Sequence, residues 1–181
     1  AAVFDAYPSR RENSLSPKLS LQTTLSPEWG LQLSLGTATR FPTVGELFQG
    51  RIDDITREID PQSFDPNLEA ERSKDVSFMA RRSYEKVQLT GSAFYQDIDD
   101  AIFSYQGLNQ FGTVVSSYKN IDRVRQYGLE LIFEGRDMLL PRLDLDLSVS
   151  WMDARTVRSA ANVAAEGEMF PRIPEWRANG N

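Results

Sequence analysis

Apolar and polar residues alternate along most of the chain with a period of two. From Leu15 the odd positions read Leu15, Pro17, Leu19, Leu21, Thr23 and Leu25, and the even ones Ser16, Lys18, Ser20, Gln22 and Thr24. Successive side chains of a strand point to opposite faces, so this run predicts a strand with one apolar and one polar face. Ser26-Pro27-Glu28 has the composition of a turn, after which Trp29, Leu31, Leu33, Leu35 and Thr37 alternate with Gln32, Ser34 and Gly36. A turn this tight joins the two runs as an antiparallel hairpin. The pattern recurs at Val76, Phe78 and Ala80, from Val87 to Tyr95, from Ile121 to Glu134 and from Leu143 to Trp151. A seventh strand is expected near Met169 to Arg177.

The runs span roughly 9 to 13 residues. Globular strands average about 5 to 6, whereas a tilted strand crossing a bilayer needs about 9 to 11. Short links (Ser26 to Glu28, Arg82 to Lys86, Gly135 to Arg142) take turns with long ones (Arg40 to Arg72, Asp97 to Lys119, Arg155 to Glu168). Short periplasmic turns and long extracellular loops are the habit of bacterial outer-membrane barrels. Aromatics gather at both ends: Trp29 and Tyr84 by short turns, and Tyr95, Tyr118 and Trp151 by long loops, as expected where amphipathic rings meet a lipid interface. The expected fold is all-β, an antiparallel transmembrane β-barrel segment of about six to seven strands. Alternation by itself also fits a soluble β-sandwich. On the membrane reading every strand edge must be paired, so strands outside this sequence are expected to complete the barrel.

Composition narrows the chemistry. The 181 residues are 40% hydrophobic with a formal net charge of −6, which suits a folded domain and disfavours a nucleic-acid partner. There is no cysteine, hence no disulfide or thiolate metal site. There is no histidine either, which removes the commonest general base. No pair of carboxylates is singled out for hydrolysis, so neither an enzyme nor a cofactor is expected. Asp97, Asp99 and Asp100 cluster at a strand end, and Asp53, Asp54, Glu58 and Asp60 lie in the first long loop. Hard oxygen ligands suit calcium, but Ile102 stands where an EF-hand loop needs glycine, so solvated charge is the simpler reading. Glu130, Glu134, Asp144 and Asp146 share a face with Ser148 and Ser150, like a wetted lumen wall. Arg123 and Arg125 interrupt an apolar face. At mid-bilayer each would cost roughly 2 to 4 kcal/mol, so they are expected near the outer rim, facing lipopolysaccharide phosphates; a β-bulge shifting register is the competing explanation. No apolar run approaches the roughly 18 residues of a membrane-spanning helix. Ala1-Ala2-Val3-Phe4-Asp5 carries no signal-peptide pattern, and both ends are expected to be cuts within a longer protein.

The stretch Leu31-Gln32-Leu33-Ser34-Leu35-Gly36-Thr37-Ala38-Thr39-Arg40-Phe41-Pro42-Thr43-Val44-Gly45-Glu46-Leu47-Phe48 resembles the barrel of TonB-dependent receptors, where a strand ends in Arg-x-Pro-Thr followed by Glu-Leu and an aromatic. Further segments follow in the family's order: Asp65-Pro66-Asn67-Leu68-Glu69-Ala70-Glu71, Ala93 to Ile102, Tyr118-Lys119-Asn120-Ile121 with Tyr127-Gly128-Leu129-Glu130, Trp151 to Arg155, and Pro171-Arg172-Ile173-Pro174. The resemblance runs from about Leu15 to the end. Asp65 replaces the commoner Asn, and Ala70 sits where Pro is common. The family-motif positions are Arg40, Pro42, Glu46, Leu47, Asn67, Glu71, Asn120, Gly128 and Glu130.

That resemblance implies one barrel domain over residues 1–181 of a receptor for energy-coupled uptake of a scarce nutrient such as a ferric siderophore, cobalamin or another metal chelate. It implies a TonB-type energy-transducing partner acting through a plug, a small nutrient ligand, and outer-membrane lipid and lipopolysaccharide around the wall of a Gram-negative cell. Neither plug nor TonB box is read in these residues, and no ligand-binding residue is singled out. A passive porin-type channel is the alternative. Locally, Pro42 cannot donate to a ladder and so ends strand pairing, Arg40 and Glu46 are placed to form an ion pair at the loop start, and Gly128 admits a close approach to the polar face or marks a kink.

Overall fold

In the computed structural model, residues 10–48, 50, 60, 63, 65–108, 112–138 and 140–181 are described. Seven antiparallel strands form one sheet in sequence order. They are β1 (Lys18–Ser26), β2 (Trp29–Arg40), β3 (Glu71–Ser83), β4 (Val87–Leu108), β5 (Val114–Gly135), β6 (Leu145–Arg158) and β7 (Trp176–Gly180). A short helix α1 (Val44–Phe48) follows β2, and a single 3-10 turn (Val163–Ala165) lies between β6 and β7.

The register separates the two faces. One row across the sheet runs Leu21, Leu33, Phe78, Ala93, Leu129, Trp151, Trp176. The adjacent row runs Gln22, Gln32, Met79, Ser92, Glu130, Ser150, Arg177. A slip of one residue in any strand would exchange the faces, so seven strands in phase fix the register. The apolar face has no second layer over it: Leu21, Leu129 and Leu131 are 58%, 57% and 52% exposed. Buried side chains concentrate at the other end of the sheet, beyond the apolar band. Leu47, Leu68, Ala70, Ala101, Val115, Val124 and Ala154 are covered there, together with Asp60, Ser63 and Thr156.

Three expectations need correction. The link expected from Asp97 to Lys119 is mostly strand: β4 and β5 are 22 residues each and stay paired out to Leu108 and Val114. At about 3.3 Å per residue each reaches roughly 70 Å, where about 9 to 11 residues cross a bilayer; the remainder projects as a two-stranded arm. Pairing resumes in the same register beyond the acidic run: Asp99 pairs with Arg123 and Ala101 with Ile121, while Asp100 between them takes a left-handed φ of 57°, which Asp tolerates better than most residues. Tyr118, expected at the girdle, pairs with Ser104 in that arm. The last strand begins at Trp176; Met169 makes only an isolated bridge to Arg155. The other long links, 41–70 and 159–175, leave and re-enter the sheet at the arm's end, and the short turns join strands at the other.

Candidate functional site

Four motif residues, Arg40, Glu46, Glu71 and Asn120, spread over some eighty positions of sequence, meet at the base of the arm. Arg40 ends β2 opposite Glu71, which opens β3. Its Nη1 donates to both carboxylate oxygens of Glu46, at 2.9 and 3.2 Å, its Nη2 donates to the Ile102 carbonyl at 3.4 Å, and Nη2 lies 3.6 Å from Glu71. Glu71 in turn accepts the Ile102 N–H at 3.1 Å. Glu46 also closes a capping box: Thr43 donates its N–H (2.8 Å) and hydroxyl to Glu46, and the Glu46 N–H reaches Thr43 Oγ1 at 3.2 Å. This satisfies donors that a five-residue helix would otherwise leave open. Pairing stops at Arg40, two residues before Pro42, and Leu47 is buried.

Asn120 supplies the second half of this clamp. Its Oδ1 accepts the Glu69 N–H at 2.8 Å, and its Nδ2 donates to the carbonyls of Glu69 (3.1 Å) and Asp100 (2.7 Å). One side chain thus imitates a strand neighbour for residue 69 and takes up the carbonyl of the left-handed Asp100. Asn67 is exposed, and its N–H donates to Asp65 Oδ1 at 2.9 Å. In such an Asx turn either Asp or Asn supplies the oxygen, so the departure at position 65 leaves the turn intact. The loop 41–70 is therefore tied at its start by Arg40 and Glu46 and at its end by Glu71 and Asn120, all to the arm.

Partial burial opposes ionisation of Glu46, but the Thr43 N–H and the Arg40 guanidinium together hold its carboxyl below the usual carboxylate range. A depressed folded value contributes stability that is present above the unfolded pKa, roughly 4.3, and lost as pH falls through the folded one. The protection factors of the Glu46 and Leu47 amides, exchange being referred to its intrinsic rate at each pH, are expected to fall on acidification below about pH 4. The E46Q variant is expected to show the lower protection already at neutral pH.

Gly128 and Glu130 lie elsewhere, on the polar face of β5. At Gly128 a Cβ would collide with the Trp151 carbonyl oxygen and meet the Phe94 ring at 2.8 Å. The close approach expected there is made by Phe94 on the neighbouring strand and by the main chain of β6. Glu130 sits between Ser92 and Ser150, and Glu134 faces Asp146 and accepts from Gln88 Nε2 at 2.7 Å. Asp144 lies outside β6 and binds the Asp137 N–H at 3.2 Å.

On the apolar face a line of Tyr95, Tyr127 and Trp151 marks the upper edge, with Tyr127 and Trp151 packed edge to face at 5.8 Å. Charge begins in the row of Tyr95 and Tyr127, with Asp153, and continues above it. Arg123 forks onto Asp97 through Nε at 2.7 Å and through Nη2, Arg125 lies 3.8 Å from the same carboxylate, and Lys74 lies 4.0 Å from Asp99. Arg155 forks onto Asp153 at 2.9 Å. Arg123 and Arg125 thus stand beyond the apolar band, as expected. A register shift does occur between Arg123 and Val124, against β6, while pairing with β4 stays in phase. Asp97 and Asp99 are engaged by these cations, and among the described residues no group of three acidic side chains is arranged to hold a metal ion. Asp53, Asp54 and Glu58 lie outside the described residues.

Residues 2–181 match the family described as TonB dependent receptor-like, beta-barrel. The chain belongs to the TonB-dependent receptor family. Solved structures share the fold at low identity. The copper transporter OprC is 20% identical over 90% of this chain and 23% of its own, with a TM-score of 0.68. The FrpB iron transporter from Neisseria meningitidis is 21% identical over 83% of this chain and 21% of its own (TM-score 0.58). The siderophore receptor PirA from Pseudomonas aeruginosa is 15% identical over 79% and 28% (TM-score 0.61). No curated protein sequence matches. This TonB-dependent receptor chain therefore spans about a quarter of the length of the solved relatives.

The sequence does not disclose Glu71 and Asn120 as clamp partners or Phe94 as the neighbour of Gly128. The one available signal was parity: Phe94 and Gly128 fall on the polar face of their strands, where an aromatic is out of place.

Proposed function

We propose that this chain is part of the barrel wall and outer rim of an outer-membrane receptor for energy-coupled uptake of a small, scarce nutrient. Residues 1–181 lie within one barrel domain, completed by strands outside them. A TonB-type partner acts through a plug that is also outside them. The observation carrying this reading is the clamp: Arg40, Glu46, Glu71 and Asn120 anchor both ends of the segment between β2 and β3 at the base of the two-stranded arm, and a loop with anchored ends loses less ordering entropy on binding a ligand. The names of the solved relatives, a copper transporter, an iron transporter and a siderophore receptor, support a metal or metal chelate as cargo. Lys74 and Arg125, which stand in one row above the aromatic line and are not chelated by a carboxylate as Arg123 and Arg155 are, support contact with lipopolysaccharide phosphates.

The test is uptake of radiolabelled metal chelates by Gram-negative cells carrying the full-length receptor as their sole route. Uptake that stops when the energy-transducing protein is deleted, or when the proton gradient is collapsed, supports the proposal. Uptake that is proportional to concentration and indifferent to both would make the barrel a passive porin.

A further inference from the structure

We infer a binding site for the phosphate of a glycerophospholipid at the short-turn end of the apolar face, built from Arg82, Trp29 and Tyr84. The row at that edge runs Trp29, Arg82, Leu89, Phe133, Leu147, so Arg82 is the one charge in an otherwise apolar row that faces lipid. Its guanidinium carbon lies 5.1 Å from the Trp29 ring centre and 4.5 Å from that of Tyr84. Two aromatic faces hold the planar cation in place. What the pocket lacks is a bonded anion. The nearest carboxylate, Glu28, stands 3.9 Å away and is itself more than half exposed. The Arg82 Nε is buried with no hydrogen-bond acceptor among the described residues.

Two of the cations at the opposite edge differ in this respect, while Arg125, whose Nε is likewise without an acceptor among the described residues, lies 3.8 Å from the Asp97 carboxylate. Arg123 and Arg155 are each chelated by a carboxylate, so their donors are already in use. Arg82 is clamped by rings that accept no ordinary hydrogen bond, at the depth where a leaflet's phosphates lie; its Nε is buried, so the Nη end is the part open to a ligand, and beyond the 3.9 Å contact with Glu28 no described residue supplies an acceptor there. A phosphodiester fits the fork in two-point fashion. The aromatic rings then lie beside the glycerol and upper acyl carbons, the usual place of Trp and Tyr in a bilayer. The site rests on the membrane-wall reading but is independent of cargo.

The experiment uses the full-length receptor purified in dodecyl maltoside, which carries no phosphate. Native mass spectrometry with added dioleoylphosphatidylglycerol is expected to show one lipid whose affinity falls roughly tenfold in R82Q and by less in R82K. The R81Q variant makes the same charge change on the polar face and is expected to bind like wild type. Without any substitution, modification of Arg82 by phenylglyoxal, mapped by peptide mass, is expected to slow with phosphatidylglycerol and not with inorganic phosphate. Equal lipid binding by R82Q and wild type would overturn the site, as would an equal loss in R81Q. Protection by inorganic phosphate alone would assign it to free anion rather than lipid. These readouts need no uptake, so loss of the transport proposal and loss of this site are separable.

Discussion

Gly128→Ala is expected to destabilise the folded barrel by about 1–3 kcal/mol, and Gly128→Val by more. The added carbon meets two neighbours of different kinds. Phe94 is a side chain and turns away. The Trp151 carbonyl belongs to the main chain of β6 and moves only by opening the β5–β6 ladder. The two contributions separate in a cycle: F94A combined with G128A is expected to recover part of the loss but not all of it. The measurement is the urea midpoint of the full-length receptor, followed by the heat-modifiable shift of the folded band on a gel. An unchanged midpoint in G128A would mean that β5 and β6 do not approach as described.

Asn120→Ala is expected to release the loop 41–70 while leaving the sheet intact. The substitution strands the Glu69 N–H and the carbonyls of Glu69 and Asp100, and each group left without a partner costs about 1–3 kcal/mol where water cannot replace it. Because Asn120 is half-buried, the sum is smaller than three full penalties. Local opening is nevertheless expected to rise by at least about tenfold, the effect of 1.4 kcal/mol. Limited proteolysis should cut within 41–70 first, and affinity for any ligand seated on the loop should fall with it. Asn120→Asp keeps the acceptor for Glu69 N–H but removes both donors and places a carboxylate against two carbonyl oxygens. It is expected to resemble the alanine variant, and wild-type resistance in N120D would show that the amide donors contribute nothing.

Below the rim the fold was legible because each strand has one polar and one apolar face, and a period of two recurs in six runs; the seventh strand starts later than the expected Met169, at Trp176. Boundaries moved by a few residues where side chains, rather than the pattern, decide them. The run beginning at Leu143 becomes strand only at Leu145, because Asp144 is taken by the turn. The arm was not legible. Its lower part is the acidic run from Asp97 to Asp100, which reads as solvated loop until Arg123 and Arg125 are placed opposite it. A β-branched stretch, Val114 and Val115, was the available hint of its return strand. The clamp was half legible: Arg40 and Glu46 are six residues apart, within reach of local reasoning. The bonds from Arg40 to Ile102 and from Asn120 to Glu69 span 62 and 51 residues, which only the strand register brings together.

The claim on which the rest depends is that one face of this sheet meets lipid and the other meets water. Single cysteines placed one at a time from Gln126 to Glu134 in the full-length receptor, spin-labelled and reconstituted in phospholipid vesicles, test it directly, since these residues contain no cysteine of their own. Tyr127, Leu129, Leu131 and Phe133 are predicted to be accessible to dissolved oxygen and shielded from a water-soluble nickel complex, with Gln126, Gly128, Glu130, Ile132 and Glu134 showing the reverse or shielding from both. Oxygen accessibility without a period of two, or with the even positions in lipid, would contradict the account.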